Sequence, residues 1–460
     1  MKLHAPSALL PAGWANDVLV EIDEAGMIGA VTTGAAPGDA PRAAGPVVPG
    51  MPNLHSHAFQ RALAGRTGRA AANGDSFWTW RAAMYGFLDR VDADAYAAIA
   101  GQAYVEMLKA GYTSVAEFHY VHHDAVGAHY ADPAELSWRI VAAAREADIA
   151  LTLLPVFYAH AGFGGSPPIA GQRRFIHSTD SYARLMEALS AGQRQQAVGG
   201  REDFVLGVAP HSLRAVTASE LEFIDRLSPP GGPVHIHVAE QLQEVEQCIA
   251  ATGERPVEWL LNHAAIDRRW CLVHATHLSD PEVTRLAASA AVAGLAPTTE
   301  ADLGDGTFPA AAFQRAGGIL GVGSDSNTVI DPFTELRQLE WSQRLALRRR
   351  NVLVAGGSGE ATVGAALWAA AAAGGAQALA QPTGAIAPGR RADLVVLDTR
   401  DPGMDSQRSE DVLDAAIFGA VRRPVRDVMV AGRWVVRDGA HRHEEAVRTR
   451  FRRALATSFG

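Results

Sequence analysis

Short apolar runs recur along the chain, separated by longer stretches of helical periodicity. They cover residues 47–57, 114–120, 150–158, 204–212, 233–240, 270–278, 291–300 and 318–326. In most of them apolar residues fill both alternating sets, which predicts strands buried on both faces. Between them, 94–110, 133–147, 218–227 and 281–290 read as helices, the second with Asp132 as its N-cap and Pro133 at its first position. Eight strands alternating with helices predict an α/β fold, a parallel (β/α)8 TIM-like barrel.

The ends carry a different pattern. Residues 15–31 alternate around Val18, Val20 and Ile22. Near the other end, 393–398 is a short apolar run, and 428–436 resembles a hairpin broken at Ala431-Gly432. These segments predict a small β-sandwich domain built from both termini, 1–49 and 376–460, flanking a barrel at 50–375.

Length agrees, since 460 residues exceed one ordinary core. Hydrophobic residues make up 48% and charged residues 20%, a globular composition. The formal net charge of −9 argues against nucleic acid as a partner, which would need a basic surface, while leaving room for a local basic pocket. Cys248 and Cys271 form no closely spaced framework, so no disulfide scaffold is expected. The first 17 residues show no apolar core behind a basic start. The apolar stretch 365–380 is mostly alanine, is broken by Gly374 and Gly375, and is too short to span a bilayer; it predicts a helix packed on the barrel. A cytoplasmic location, no membrane partner and a homodimer are expected.

The candidate chemistry lies at the ends of the predicted strands. The first ends in His55-Ser56-His57, whose i, i+2 spacing puts both imidazoles on one face. The fifth carries His235, His237 and Glu240, the sixth His274, and the eighth Gly323-Ser324-Asp325-Ser326. Barrel enzymes place catalytic groups at C-terminal strand ends, and imidazoles with a carboxylate suit zinc with one position open. Each motif alone has a plain structural explanation, but the ordered set does not.

That set resembles the amidohydrolase superfamily over almost the whole chain. The resemblance implies one divalent metal ion, expected to be Zn2+, on His55, His57, His237 and Asp325. It implies Glu240 as acid/base, His274 at the attacked group, and Asp325 as proton acceptor. His235 is left a structural role deeper in the barrel. Members with two metals bridge them with a lysine on strand 4. Here lysine occurs only as Lys2 and Lys109, with none in 204–212, so one ion is expected.

A narrower resemblance lies in PGMPNLHSHAFQR at 49–61, SFWTWR at 76–81, EFHYVHH at 117–123, APHSLR at 209–214 and PTTEADLGDG at 297–306. These segments look like the formimidoylglutamate deiminase family. That implies hydrolysis of N-formimidoyl-L-glutamate to N-formyl-L-glutamate and ammonia in histidine degradation, by a metal-activated hydroxide. Gln60, Tyr120, His211 and Arg214 would then contact substrate. Arg214 suits a carboxylate because its planar fork donates twice; Arg81 is a second cationic contact. Asp302 stands where the family has Asn, which puts that loop contact in doubt. The histidines 119, 122 and 123 are expected to pack, and Trp78 and Trp80 to form a wall. A deaminase of another formimidoyl amino acid or of a nucleobase stays open, as does, remotely, a non-catalytic scaffold.

Overall fold

The computed structural model describes residues 1–68, 75–196, 204–354, 362–405, 408–420 and 422–459. The chain opens with β1 (Lys2–Leu10), β2 (Gly13–Ile22) and β3 (Ile28–Thr32), followed by β4 (Val47–Pro49). The barrel strands come next: β5 (Met51–Ser56), β6 (Tyr112–His119), β7 (Ala150–Phe157), β8 (Val205–Leu206) with β9 (Ala209–Pro210), β10 (Val234–Val238), β11 (Trp270–His274), β12 (Val292–Leu295) and β13 (Ile319–Val322). The last strands are β14 (Leu394–Leu397), β15 (Val425–Val430), β16 (Arg433–Arg437) and β17 (Ala440–His441).

The barrel strands pair in parallel in chain order, in two ladders, β5 to β9 and β10 to β13. Single bridges join the ladders, Val208 to Val234 on one side and Ser56 to Asp325 on the other, so the sheet closes. The closing bridge matters for chemistry, because it sets Asp325 beside the first strand.

The terminal strands form one continuous sheet in the order β17-β16-β15-β14-β4-β1-β2-β3. It curls so that β3 comes back against the start of β14: Met27 bridges Arg391, and the Ala392 N–H donates to Gly26 O at 2.8 Å. Val18, Val20, Leu394, Val396 and Met429 fill the core it encloses. β1 is a nine-residue strand near its middle that the hydrophobic pattern did not single out. The final helix, Glu444–Phe459, packs on the barrel helix Ala93–Ala110, where Lys109 Nζ meets Glu444 at 2.6 Å.

Several expected elements are divided. The run 47–57 splits at Gly50 into β4 in the terminal sheet and β5 in the barrel. A Cβ on Gly50 would sit 2.3 Å from the Thr113 side chain, so the chain crosses between layers where only glycine fits. The run 204–212 keeps only two short strands around Gly207, and 291–300 turns at Pro297 into the helix Pro297–Leu303. The helix expected from Pro133 starts at Glu135; the Asp132 carboxylate accepts the Ala134 N–H at 2.8 Å in a turn before it. The alanine-rich stretch is the helix Val363–Ala378, packed on β5, β12 and β13. Its Gly374 touches the barrel so closely that a Cβ would meet Leu320 O at 2.0 Å. His235 binds Ala378 O through Nε2 at 2.8 Å, a structural role as expected. Both cysteines are buried and free.

Candidate active site

Because all barrel strands are parallel, their C-terminal ends open on one face. His55 lies in β5, His57 just past it, His237 in β10, and Asp325 three residues beyond β13. Their ligand atoms converge. His55 Nε2 is 3.2 Å from His57 Nε2 and 2.9 Å from His237 Nε2. Asp325 Oδ1 stands 3.4 Å from His55 Nε2 and 3.2 Å from His57 Nε2. Donors at zinc bonding distances of ~2.0–2.1 Å in a tetrahedron would be separated by about 3.3 Å.

The protonation states suit a cation. His57 Nδ1 faces Phe118 O at 3.1 Å, so that nitrogen carries the proton and Nε2 keeps its lone pair. Burial, helped by the charge of His55, pushes the His57 pKa down to about 3. Burial lowers His55 and His237 too. Burial alone would raise Asp325, but the hydrogen bond from His55 and its electrostatic interaction with the His55, His57 and His274 rings hold its carboxyl well below the usual range. Three neutral imidazoles and a carboxylate form a donor set for a divalent transition-metal ion rather than for an oxygen-seeking calcium or magnesium ion.

Strained backbone clusters here. Ala239, His274, Ala275 and Asp325 all adopt left-handed φ, between 42° and 67°. After β10, Glu244 holds the turn by accepting the N–H groups of Ala239 at 3.2 Å and Glu240 at 3.3 Å. Glu240 Oε1 then lies 3.7 Å from His274 Nε2. Burial raises the Glu240 pKa against the pull of His274 and Arg214. Glu300 Oε1 is 3.3 Å from His274 Nδ1 and accepts the Ala296 N–H at 2.9 Å. Burial disfavours a charged His274, yet Glu240, Glu300 and Asp325 outweigh it and push its pKa up to about 10.

His57, His237, Glu240, His274 and Asp325 form the floor of an open cleft. Gln60, Arg81, Tyr120, His211 and Arg214 all line it, with Phe77, Trp80 and Tyr158 as walls. Arg214 is only 7% exposed, so it is no surface ion pair. Its Nη2 stays 3.9 Å from both Glu240 and Glu244, too far to hydrogen-bond, and its Nε finds no partner among the described residues. Arg81 stacks on Trp78 at 4.4 Å, and Arg214 lies 6.0 Å from the same ring. Gln60 Nε2 donates to Tyr120 Oη at 2.8 Å, leaving the Tyr120 proton free for another acceptor.

The neighbouring histidines form no convergent donor set among the described residues. His119 pairs with Tyr96 Oη at 3.0 Å, His122 with Val156 O at 3.0 Å and His123 with Ile176 O at 2.7 Å, so they pack as expected. Four buried carboxylates around the site were not singled out from sequence: Glu117, Glu244, Glu300 and Asp305. Glu117 lies in β6, accepts the Ala58 N–H at 2.7 Å and is pushed up to about 8 by burial. An acidic residue inside an apolar run was the available signal.

Comparison with known proteins adds a second line. Residues 47–435 match the model of the amidohydrolase family, and 2–43 match the N-terminal domain of formimidoylglutamate deiminase. Formimidoylglutamate deiminase of Pseudomonas aeruginosa is 52% identical over 96% of each chain. A 5-methylthioadenosine/S-adenosylhomocysteine deaminase of Halobacterium salinarum is 28% identical over 92% of this chain and 89% of its own. Among solved structures, an amidohydrolase from Brucella melitensis superposes with a TM-score of 0.93 at 48% identity, covering 100% of both chains. An adenosine deaminase from Xanthomonas campestris with bound zinc shares the fold at a TM-score of 0.79 and 22% identity, covering 99% of this chain and 98% of its own.

Proposed function

The chain belongs to the amidohydrolase family, and from that premise we propose that it hydrolyses N-formimidoyl-L-glutamate to N-formyl-L-glutamate and ammonia, a step of histidine degradation. The observation that carries this reading is Arg214: a guanidinium buried beside the acid/base pair with a free Nε, facing a cleft that holds a second arginine. A buried cation without a hydrogen-bond partner is costly unless a ligand supplies one. A substrate with two carboxylates does so, with Arg214 and Arg81 each able to take one.

His55, His57, His237 and Asp325 would hold one divalent ion, for which we propose zinc on the chemistry of the donors. When bound, such an ion acidifies water near neutral pH. Asp325, anionic beside the imidazoles, accepts a proton from the attacking water. Glu240, raised by burial, relays protons to the formimidoyl nitrogen. Two are needed, because the water adds as OH to carbon and H to the imine nitrogen, and the hydroxyl proton then follows as the C–N bond breaks to release ammonia. His274, kept protonated by its three carboxylate neighbours, donates to the oxygen on which charge develops. Tyr120, His211 and Gln60 orient the substrate at the mouth.

No helix among the described residues is long and apolar enough to cross a membrane. We propose a homodimer acting on a cytoplasmic metabolite, to be checked by sedimentation and cell fractionation. The substrate reading is tested by ammonia release from formimidoyl-glutamate, formimidoyl-aspartate, guanine and cytosine. Release from the first alone, or at least tenfold faster than from the others, is expected; preference for a nucleobase overturns the reading.

A further inference from the structure

The loop after β12 places a carboxyl that the mechanism above does not use. The helix Pro297–Leu303 ends at Gly304, whose φ of 70° turns the chain back, and the Asp305 N–H returns to Glu300 O at 2.9 Å. Gly306, at φ 133°, lies so close to Thr276 and His277 that a Cβ would meet them at 3.2 and 3.1 Å. Two glycines thus aim Asp305 inward, and the residue is 5% exposed. Its Oδ1 accepts a hydrogen bond from the Gln241 side-chain amide, and its Oδ2 has no partner among the described residues. One oxygen of Asp305, one of Glu240 and a ring nitrogen of His274 all lie within 4.8 Å of one another. Asp305 does not line the cleft, whereas Leu303 of the same segment, Glu240 and His274 do. It therefore sits beside the acid/base pair without forming part of the cleft wall.

Two buried carboxyls this close do not both ionise; they hold one proton between them. The other charged groups around them are Arg214 and Glu244 on the Glu240 side, Glu300 and Asp325 around His274, and His277 beside Gly306. Burial, then the charge of Glu240, push the Asp305 pKa up to about 9.

We propose that Asp305 is a positioning residue for the deimination, sharing a proton with Glu240 so that Glu240 remains loaded between its two deliveries to the leaving nitrogen. The pair rests with its one proton on Asp305: Glu240 takes the first proton of the attacking water and passes it to nitrogen, draws the second from Asp305, and the hydroxyl proton of the addition product then restores Asp305, so the two protons gained by nitrogen equal the two given up by water. The inference rests on the deiminase reading above. A wild type that releases no ammonia from formimidoyl-glutamate sinks that reading, whereas the variants below, compared with an active wild type, test Asp305 alone.

Asp305→Asn keeps the shape and an oxygen for Gln241 but cannot share a proton. Expected are wild-type metal content and melting temperature, a KM for formimidoyl-glutamate within about twofold, and a kcat lower by at least ~10-fold. In a Glu240→Gln background the same change should cost less than about twofold, since there is no proton left to share. A wild-type kcat in Asp305→Asn, or an equal loss in both backgrounds, overturns the proposal. If Asp305→Asn loses metal or melts early, Gln241→Met gives the second reading. It frees the anchored oxygen while keeping the carboxyl, and a lower kcat at unchanged KM is expected; an unchanged kcat overturns the proposal.

Discussion

Arg214→Met is the most informative single change, because it removes the charge and the fork while keeping a long apolar stem. The structure separates two contributions. The first is the bond to a substrate carboxylate: Arg214 lines the cleft with Nε free, and a hydrogen bond to a charged group is worth about 1.5–3 kcal/mol. At ~1.4 kcal/mol per tenfold, kcat/KM for formimidoyl-glutamate should fall about 10- to 150-fold. The second is the field on Glu240. Unit charges 3.9 Å apart interact by about 4 kcal/mol at an effective dielectric constant of about 20, so losing the guanidinium raises the Glu240 pKa further. That effect follows the enzyme, not the substrate. The assay therefore measures kcat/KM on formimidoyl-glutamate and on a formimidoyl amine lacking carboxylates, across pH. On the first the loss should be about 10- to 150-fold greater than on the second, and metal content should stay unchanged. Arg214→Lys should recover only part, because an ammonium lacks the planar fork. An equal loss on both compounds would refute the carboxylate grip and make Arg214 a structural residue.

Three further outcomes are expected. Glu240→Gln should keep its metal and lose ~10²–10⁴-fold in turnover, since an amide cannot carry the proton; near-normal turnover at full metal content would exclude Glu240 as the relay. Elemental analysis of the active protein should find about one divalent ion per chain, and His55→Ala or His237→Ala should remove metal and activity together; two tightly held ions in active enzyme would contradict the one-ion site. Acid should destabilise the fold through the packed histidines. Burial lowers His119 and His177 to about 3, so the unfolded chain binds protons that the folded one refuses as pH falls below 6.5. Their contribution is complete above pH 6.5 and is lost progressively toward about 3. The melting temperature should drop through that window, less steeply in His177→Phe; a flat melting temperature from pH 7 to 4 would remove the argument.

What was legible in the sequence was local. Strands such as 270–278 and 318–326 show because a strand buried on both faces must be apolar at every position, whatever its partners. The pair His55 and His57 shows because the side-chain period of a strand is two. The shortage of lysine on the fourth strand needs no coordinates at all. Arg214 and Arg81 lie beside the strand-end chemistry in segments whose order of residue types is itself distinctive.

What only the tertiary structure decided depends on distance and on which layer a residue joins. The run 47–57 is one apolar string, yet Gly50 passes it from the terminal sheet to the barrel, and no periodicity marks a change of partner. β1 finds its place from strands on both sides, one of them more than thirty residues away. Asp325 becomes a neighbour of His55 only when the eighth strand closes on the first, across 270 residues of sequence. The buried acids Glu244, Glu300 and Asp305 look like ordinary polar residues of helices and loops until the fold removes them from water. Their charges then meet His274 and Glu240 at a few ångströms in a medium that screens them little, and that proximity, which no linear pattern encodes, sets the proton affinities of the site.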